Sequence, residues 1–135
     1  MENIIIVALK AIIVRENKVL LIQRSADDEF AASTWEFAGG KVDFGEELEV
    51  ALKREIREEV GLDVSIEKLL YATTFKTHEY RQIVLLTYLC SAKSVDVKLS
   101  EEHQNFLWAD KTQMLEMLHP PIITDLNKNN LWNIL

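Results

Sequence analysis

The sequence predicts an α+β fold in which a mixed β-sheet lies between helices. Three observations carry that expectation. Ile- and Val-rich runs fill residues 4–23 and 64–90, one strongly helical stretch separates them, and two more helical stretches follow. Strands and helices therefore do not alternate as a doubly wound dinucleotide fold requires. With 135 residues, 48% of them hydrophobic, the chain can bury a core without disulfide or metal staples. No repeat, low-complexity tract or Pro/Gly/Ser linker divides it, so residues 1–135 read as one domain.

Each element has its local reason. Ile4 to Val14 and Val19 to Gln23 are apolar runs around Glu16-Asn17, which predicts a hairpin closed by a tight turn. Ser25 to Thr34 is polar and reads as a loop, followed by a short Trp35 to Ala38 strand and a break at Gly39-Gly40. Glu46 to Val60 has helix formers throughout, acids in its first turn and Gly61 placed to end it. Val64 to Lys76 and Gln82 to Cys90 are β-rich, joined by the polar Thr77 to Arg81. The segments Asp110 to Leu118 and Pro121 to Leu135 are expected to be helical.

Charge and cysteine content narrow the function classes. A net charge of -7 argues against a groove that tracks a nucleic-acid polymer. For a phosphate anion to bind, a cation has to stand between it and this acidic protein. Cys90 is the sole cysteine, so neither a disulfide nor a CxxC zinc pair can form, and the reducing cytoplasm is the expected compartment. The apolar start Ile4 to Leu9 is cut by Lys10 and lacks a basic lead, which points to a buried strand rather than a membrane or signal segment.

Chemistry shows in the helix. At about 100° per residue, Leu48, Ala51, Leu52, Ile56 and Val60 share one apolar arc. Glu55 falls between Ala51 and Leu52, Glu59 falls near the centre of the arc, and Glu58 lies at its edge. Glu47, Glu49, Lys53 and Arg57 form a solvated face. Carboxylates at i, i+3 and i+4 come within about 6 Å, where each pair repels by roughly 3 kcal/mol at an effective dielectric near 20. A hard divalent cation would turn that repulsion into binding.

The same residues carry a family resemblance. Gly40 to Leu62, GKVDFGEELEVALKREIREEVGL, fits G-x(5)-E-x(7)-R-E-U-x-E-E-x-G-U at Gly40, Glu46, Arg54, Glu55, Ile56, Glu58, Glu59, Gly61 and Leu62. This resembles a Nudix box. It spans 23 of 135 residues, and the approach Trp35-Glu36-Phe37-Ala38-Gly39-Gly40 is similar as well, with Ala38 where members commonly carry proline. The resemblance implies an α-β-α sandwich that hydrolyses a nucleoside diphosphate linked to another moiety, using Mg²⁺ or Mn²⁺. By the same resemblance Glu55, Glu58, Glu59 and the Gly40 carbonyl would be metal ligands, with Glu46 and Arg54 as supporting partners.

The base that takes the water proton would be a box glutamate, Glu55 or Glu58, or a downstream acid. In Leu99-Ser100-Glu101-Glu102-His103 the resemblance favours Glu102 over Glu101, and His103 reads as a loop residue because hard Mg²⁺ prefers oxygen. Arg24, ending a strand, and Lys41, following Gly40, are the expected phosphate-binding cations, Arg24 being the better suited through its planar fork. Phe75, Tyr80 and Trp108 could stack a base, and Thr124 and Asp125 are polar groups after Pro121 that give no convincing guanine reader.

Substrate class follows by elimination. Thr77 and His78 stand where many ADP-ribose hydrolases carry a proline, and Ser25 to Trp35 lacks the arginine of coenzyme A hydrolases. Tyr80 alone hints at dinucleoside polyphosphates. A MutT-like pyrophosphohydrolase of nucleoside triphosphates is the expectation; the alternatives are ADP-ribose, nucleotide-sugar or dinucleoside polyphosphate hydrolysis and, from another class, a non-catalytic nucleotide sensor. Homodimers are frequent in the family, and the sequence leaves the oligomeric state open.

Overall fold

The computed structural model describes residues 2–29 and 31–135. Met1 and Phe30, the latter inside the expected 25–34 loop, lie outside the described residues. In chain order the elements are β1 (Ile4–Arg15), β2 (Lys18–Arg24), β3 (Trp35–Glu36), β4 (Ala38–Lys41), α1 (Leu48–Val60), β5 (Val64–His78), β6 (Arg81–Ala92), β7 (His103–Ala109), α2 (Lys111–Met117) and α3 (Pro120–Lys128).

The strands form one mixed sheet. β1 runs parallel to β6 from Ile4↔Arg81 to Val14↔Ser91, and the other named pairings are antiparallel. Glu16 and Asn17 both adopt left-handed φ, at 51° and 65°, which gives the β1–β2 turn the twist a two-residue hairpin needs. Only Val14↔Val19 and Arg15↔Lys18 pair there. The two strands then part, and β4 takes the place beside Ala8 to Ala11 of β1 while β3 and β7 pair with β2.

Strand alternation supplies two cores, as a sheet covered on both faces requires. Leu9, Ala11, Ile13, Leu20 and Ile22 pack with Ala51, Leu52, Ile56 and Val60 of α1. Ile12, Val19 and Leu21 belong to a second cluster with Met114 of α2 and Leu126 of α3. The expected sandwich is thus present.

Four expectations need correction. The Gly39-Gly40 break is strand β4, because bare glycine backbone lies against β1: a Cβ on Gly39 would collide with the Leu9 carbonyl. Helix α1 starts at Leu48 rather than Glu46, since Glu46 closes a turn with Asp43, each backbone N–H bonded to the other residue's oxygen. Leu48 is exposed rather than part of the buried arc. The last helix ends at Lys128 and not at Leu135, as Asn130 turns left-handed at φ 54° and sends Leu131 into the second core. Strand β7 was not anticipated at all; it pairs along β2 from Arg24↔His103 to Val19↔Ala109.

Candidate active site

The carboxyl end of α1 organises the site. A helix leaves its last carbonyls without internal partners. Here the Glu59 carbonyl accepts from Ser100 N–H at 2.9 Å and the Val60 carbonyl from Lys98 N–H at 2.8 Å, so the helix end captures the downstream segment. Ser25 N–H donates to the Glu102 carbonyl at 3.0 Å and fixes that segment from the other side. Acids far apart in sequence are thereby brought together: Glu55, Glu58, Glu59, Ser100, Glu101 and Glu102 line one cleft of about 300 Å³.

The three box acids differ in setting. Glu58 is exposed, Glu55 is half-buried and Glu59 is buried at 8% exposure. Glu59 accepts from Gly39 N–H at 2.9 Å. Burial pushes its carboxyl up from the ordinary value, Lys10 only partly opposing this. The Glu55 carboxyl is likewise raised by burial, against the pull of Arg54. A Cβ on Gly40 would run into the Glu55 carboxylate, so only glycine lets the β4 main chain come this close to it.

Arg54 faces four carboxylates. Its Nε donates to Glu46 Oε2 at 2.8 Å and its Nη2 to Glu46 Oε1 at 2.7 Å, a bidentate fork. Nη1 reaches Glu55 at 2.9 Å and Glu58 at 3.3 Å, and Nη2 lies 3.3 Å from Asp43. The hydrogen bonds from Arg54 hold the Glu46 carboxyl down at about 2.

Beside this cluster lies a second, which the sequence reading missed. Glu36, 8% exposed, receives Lys10 Nζ at 3.1 Å, Arg24 Nη1 at 3.0 Å and His103 Nε2 at 2.9 Å. Burial alone would raise its carboxyl, yet Lys10, His103 and Arg24 together hold it well below the carboxylate range. Lys10 also donates to the Phe37 carbonyl at 3.1 Å. Its presence in a strand between buried Leu9 and Ala11 was the available signal, since a lysine among buried neighbours needs a partner.

His103 is not a loop residue. It opens β7 with its side chain 3% exposed, and its ring lies with Glu59 and Glu102 in a group whose ligand atoms are within 4.8 Å of one another. Arg24 is engaged by Glu36 and by Asp28, 3.0 Å from each, whereas Lys41 is exposed. Among the aromatic residues, Phe75 is exposed, Tyr80 lines a separate cleft with Lys76 and Arg81, and Trp108 bonds the Val95 carbonyl through Nε1 at 3.2 Å. Thr124 bonds the Pro120 carbonyl, and burial raises the Asp125 carboxyl. No helix among the described residues is long and apolar enough to cross a membrane.

The comparisons with known proteins agree with this architecture. The NUDIX domain family profile matches residues 6–126. The CTP pyrophosphohydrolase of Escherichia coli K12 is 34% identical over 106 residues, 78% of this chain and 76% of that protein. A nucleoside triphosphatase NudI of Escherichia coli O81 is 30% identical over 107 residues, 71% of this chain and 76% of that one. Among solved structures, the MutT protein from Methanosarcina mazei Go1 superimposes with a TM-score of 0.85 at 26% identity over 98% of both chains. The MutT NUDIX hydrolase from Burkholderia pseudomallei gives 0.71 at 32% identity, covering 87% of this chain and 88% of that one. With its profile matched across nearly the whole chain and its acids gathered at the end of α1, the protein belongs to the NUDIX family of hydrolases.

Proposed function

We propose that this protein cleaves the pyrophosphate linkage of a nucleoside triphosphate, releasing a nucleoside monophosphate and pyrophosphate. The convergence of Glu55, Glu58, Glu59, Glu101 and Glu102 on one cleft carries the reading. Five acids facing one space repel one another, and Arg54 is largely occupied by Glu46, so the cleft is built for added positive charge. The activities for which the two Escherichia coli relatives are named support a triphosphate substrate.

The donor set fits a hard divalent cation, because it consists of carboxylates together with main chain that only a glycine brings close. Glu55, Glu58, Glu59 and the Gly40 carbonyl would hold Mg²⁺ or Mn²⁺, which when bound neutralises the substrate's phosphate oxygens and makes a water acidic enough to attack phosphorus. Arg54 holds Glu55 in place through Nη1. Glu102 takes the proton of the attacking water as the water oxygen bonds to phosphorus and the bond to the leaving phosphate oxygen breaks. Its clustering with Glu59, which Glu101 does not share, supports this choice. Lys41 and Arg24 neutralise the triphosphate, Arg24 by exchanging the Asp28 carboxylate for a phosphate oxygen.

A hydrolysis panel with Mg²⁺ tests the proposal. Nucleoside triphosphates should give monophosphate and pyrophosphate, and product identification distinguishes this from release of orthophosphate. Preferential turnover of ADP-ribose, nucleotide sugars or dinucleoside polyphosphates would move the substrate assignment, and no turnover of any of them would point to the sensor reading.

A further inference from the structure

We propose that His103 supplies its Nδ1 to a cation site shared with Glu59 and Glu102, so that the protein can hold a first-row transition ion through mixed nitrogen and oxygen donors. The inference rests on the divalent-cation reading of the cleft and adds to its all-oxygen ligand set two residues outside the box, His103 and Glu102, the latter binding through one oxygen and keeping the other for the water proton. Its basis is geometric. One ligand atom from each of the three side chains lies within 4.8 Å of the others, and Nδ1 is assigned as the atom His103 offers because Nε2 is bonded to Glu36. Three donors spread evenly at roughly 2.2 Å around one ion lie about 3.8 Å apart, so drawing the three atoms together by about 1 Å completes the site.

The ring is set up for this role. Glu36 carries its charge against Lys10 and Arg24 and can only accept, so His103 Nε2 is the donor of their 2.9 Å bond. A neutral imidazole with its proton on Nε2 presents a lone pair at Nδ1. That atom is buried and has no hydrogen-bond partner among the described residues. A histidine oriented by a carboxylate on one nitrogen and open at the other is the arrangement by which proteins aim imidazole at a metal. Ser100 Oγ, on the wall of the same cleft, is a second buried polar atom without a partner. Two orphaned polar atoms beside converging carboxylates each cost free energy that a bound ligand would recover. A nitrogen donor also favours later first-row ions such as Co²⁺ over Mg²⁺, which keeps to oxygen.

Pulsed electron paramagnetic resonance of the full chain loaded with Mn²⁺ alone reads the ligand directly. The expected spectrum shows coupling to one directly bound ¹⁴N. It is lost in His103→Gln and kept in His78→Gln and His119→Gln, the other two histidines of the chain. In parallel, the ratio of Co²⁺ to Mg²⁺ affinity, read by calorimetry, should drop about 10-fold in His103→Gln. The wild-type spectrum decides even if that variant fails to fold. Mn²⁺ bound through oxygen alone, or a ¹⁴N coupling that survives His103→Gln, overturns the assignment while leaving the hydrolase reading intact. Failure of the wild type to bind Mn²⁺ at all overturns both.

Discussion

Two carboxylate clusters lie side by side in this protein, and they are solved in opposite ways. Around Glu36, one buried acid meets the charges of Lys10 and Arg24 and an N–H of His103, so the protein supplies its own compensation. Around α1, the acids outnumber the available cations: Arg54 is forked onto Glu46, and Glu59 sits buried with a single backbone N–H. The first arrangement holds β1, β2, β3 and β7 together; the second waits for charge from outside. Internal neutralisation therefore fixes the Glu36 carboxylate as scaffold that orients Arg24 and His103, and an uncompensated deficit marks the place where a ligand acts.

The comparison breaks most visibly at Glu36. Glu36→Gln leaves Lys10 and Arg24 without the buried charge they share, and it should lower stability by about 3 kcal/mol, the scale of a broken buried ion pair. Urea melts in chelator check this; a loss below about 1 kcal/mol would show that Glu36 is dispensable to the scaffold. The acid-side pH dependence has a definite sign. Because the folded Glu36 carboxyl is depressed, its stabilising contribution is complete above the unfolded value near 4.5 and fades as pH falls through the folded value.

Activity should respond most to the other cluster. Glu102→Gln should lower the maximal rate by roughly 100-fold or more, the scale of a lost general base, while Glu101→Gln stays mild. Equal small effects would return the segment to a solvated turn. Glu58→Gln should remove most Mg²⁺-dependent turnover and leave the melting curve in chelator nearly unchanged, since the side chain is exposed and packs against little. Unchanged turnover at saturating Mg²⁺ would exclude Glu58 from the metal set.

These clusters also differ in how far the sequence revealed them. Glu55, Glu58 and Glu59 lie within five residues on one helix, so a projection at 3.6 residues per turn places Glu59 among Leu52 and Ile56, and its burial agrees with that. Glu36, Lys10 and His103 come from three strands, and their meeting depends on pairings no local pattern encodes. Lys10 read as a break in an apolar run, and His103 as part of a loop. Strand β4 was hidden because glycine signals a turn, whereas here it permits close approach to Leu9 and Glu55. The end of α3 lacked a Gly or Pro stop, and Asn130 supplied the left-handed residue instead.

The smallest expected effect is the sharpest test, because it reverses the usual direction of a core substitution. Glu59→Gln keeps shape and can still accept from Gly39 N–H, while removing a charge that burial disfavours. In chelator at neutral pH it should melt higher than wild type by roughly 2–5 °C, the shift that about 1 kcal/mol produces in a domain of this size. Mg²⁺ should raise its melting temperature less, since binding to the folded form stabilises by mass action and one ligand is gone. The sign with pH opposes that of Glu36. A carboxyl whose folded value is raised penalises the native state when ionised, and wild type recovers that penalty as pH falls through the folded value towards the unfolded value near 4.5. The advantage of Glu59→Gln should therefore shrink on acidification and vanish near that pH. If the variant instead melts lower at neutral pH, the attraction between Glu59 and Lys10 outweighs desolvation, and Glu59 belongs with the self-neutralised scaffold rather than with the acids awaiting a cation.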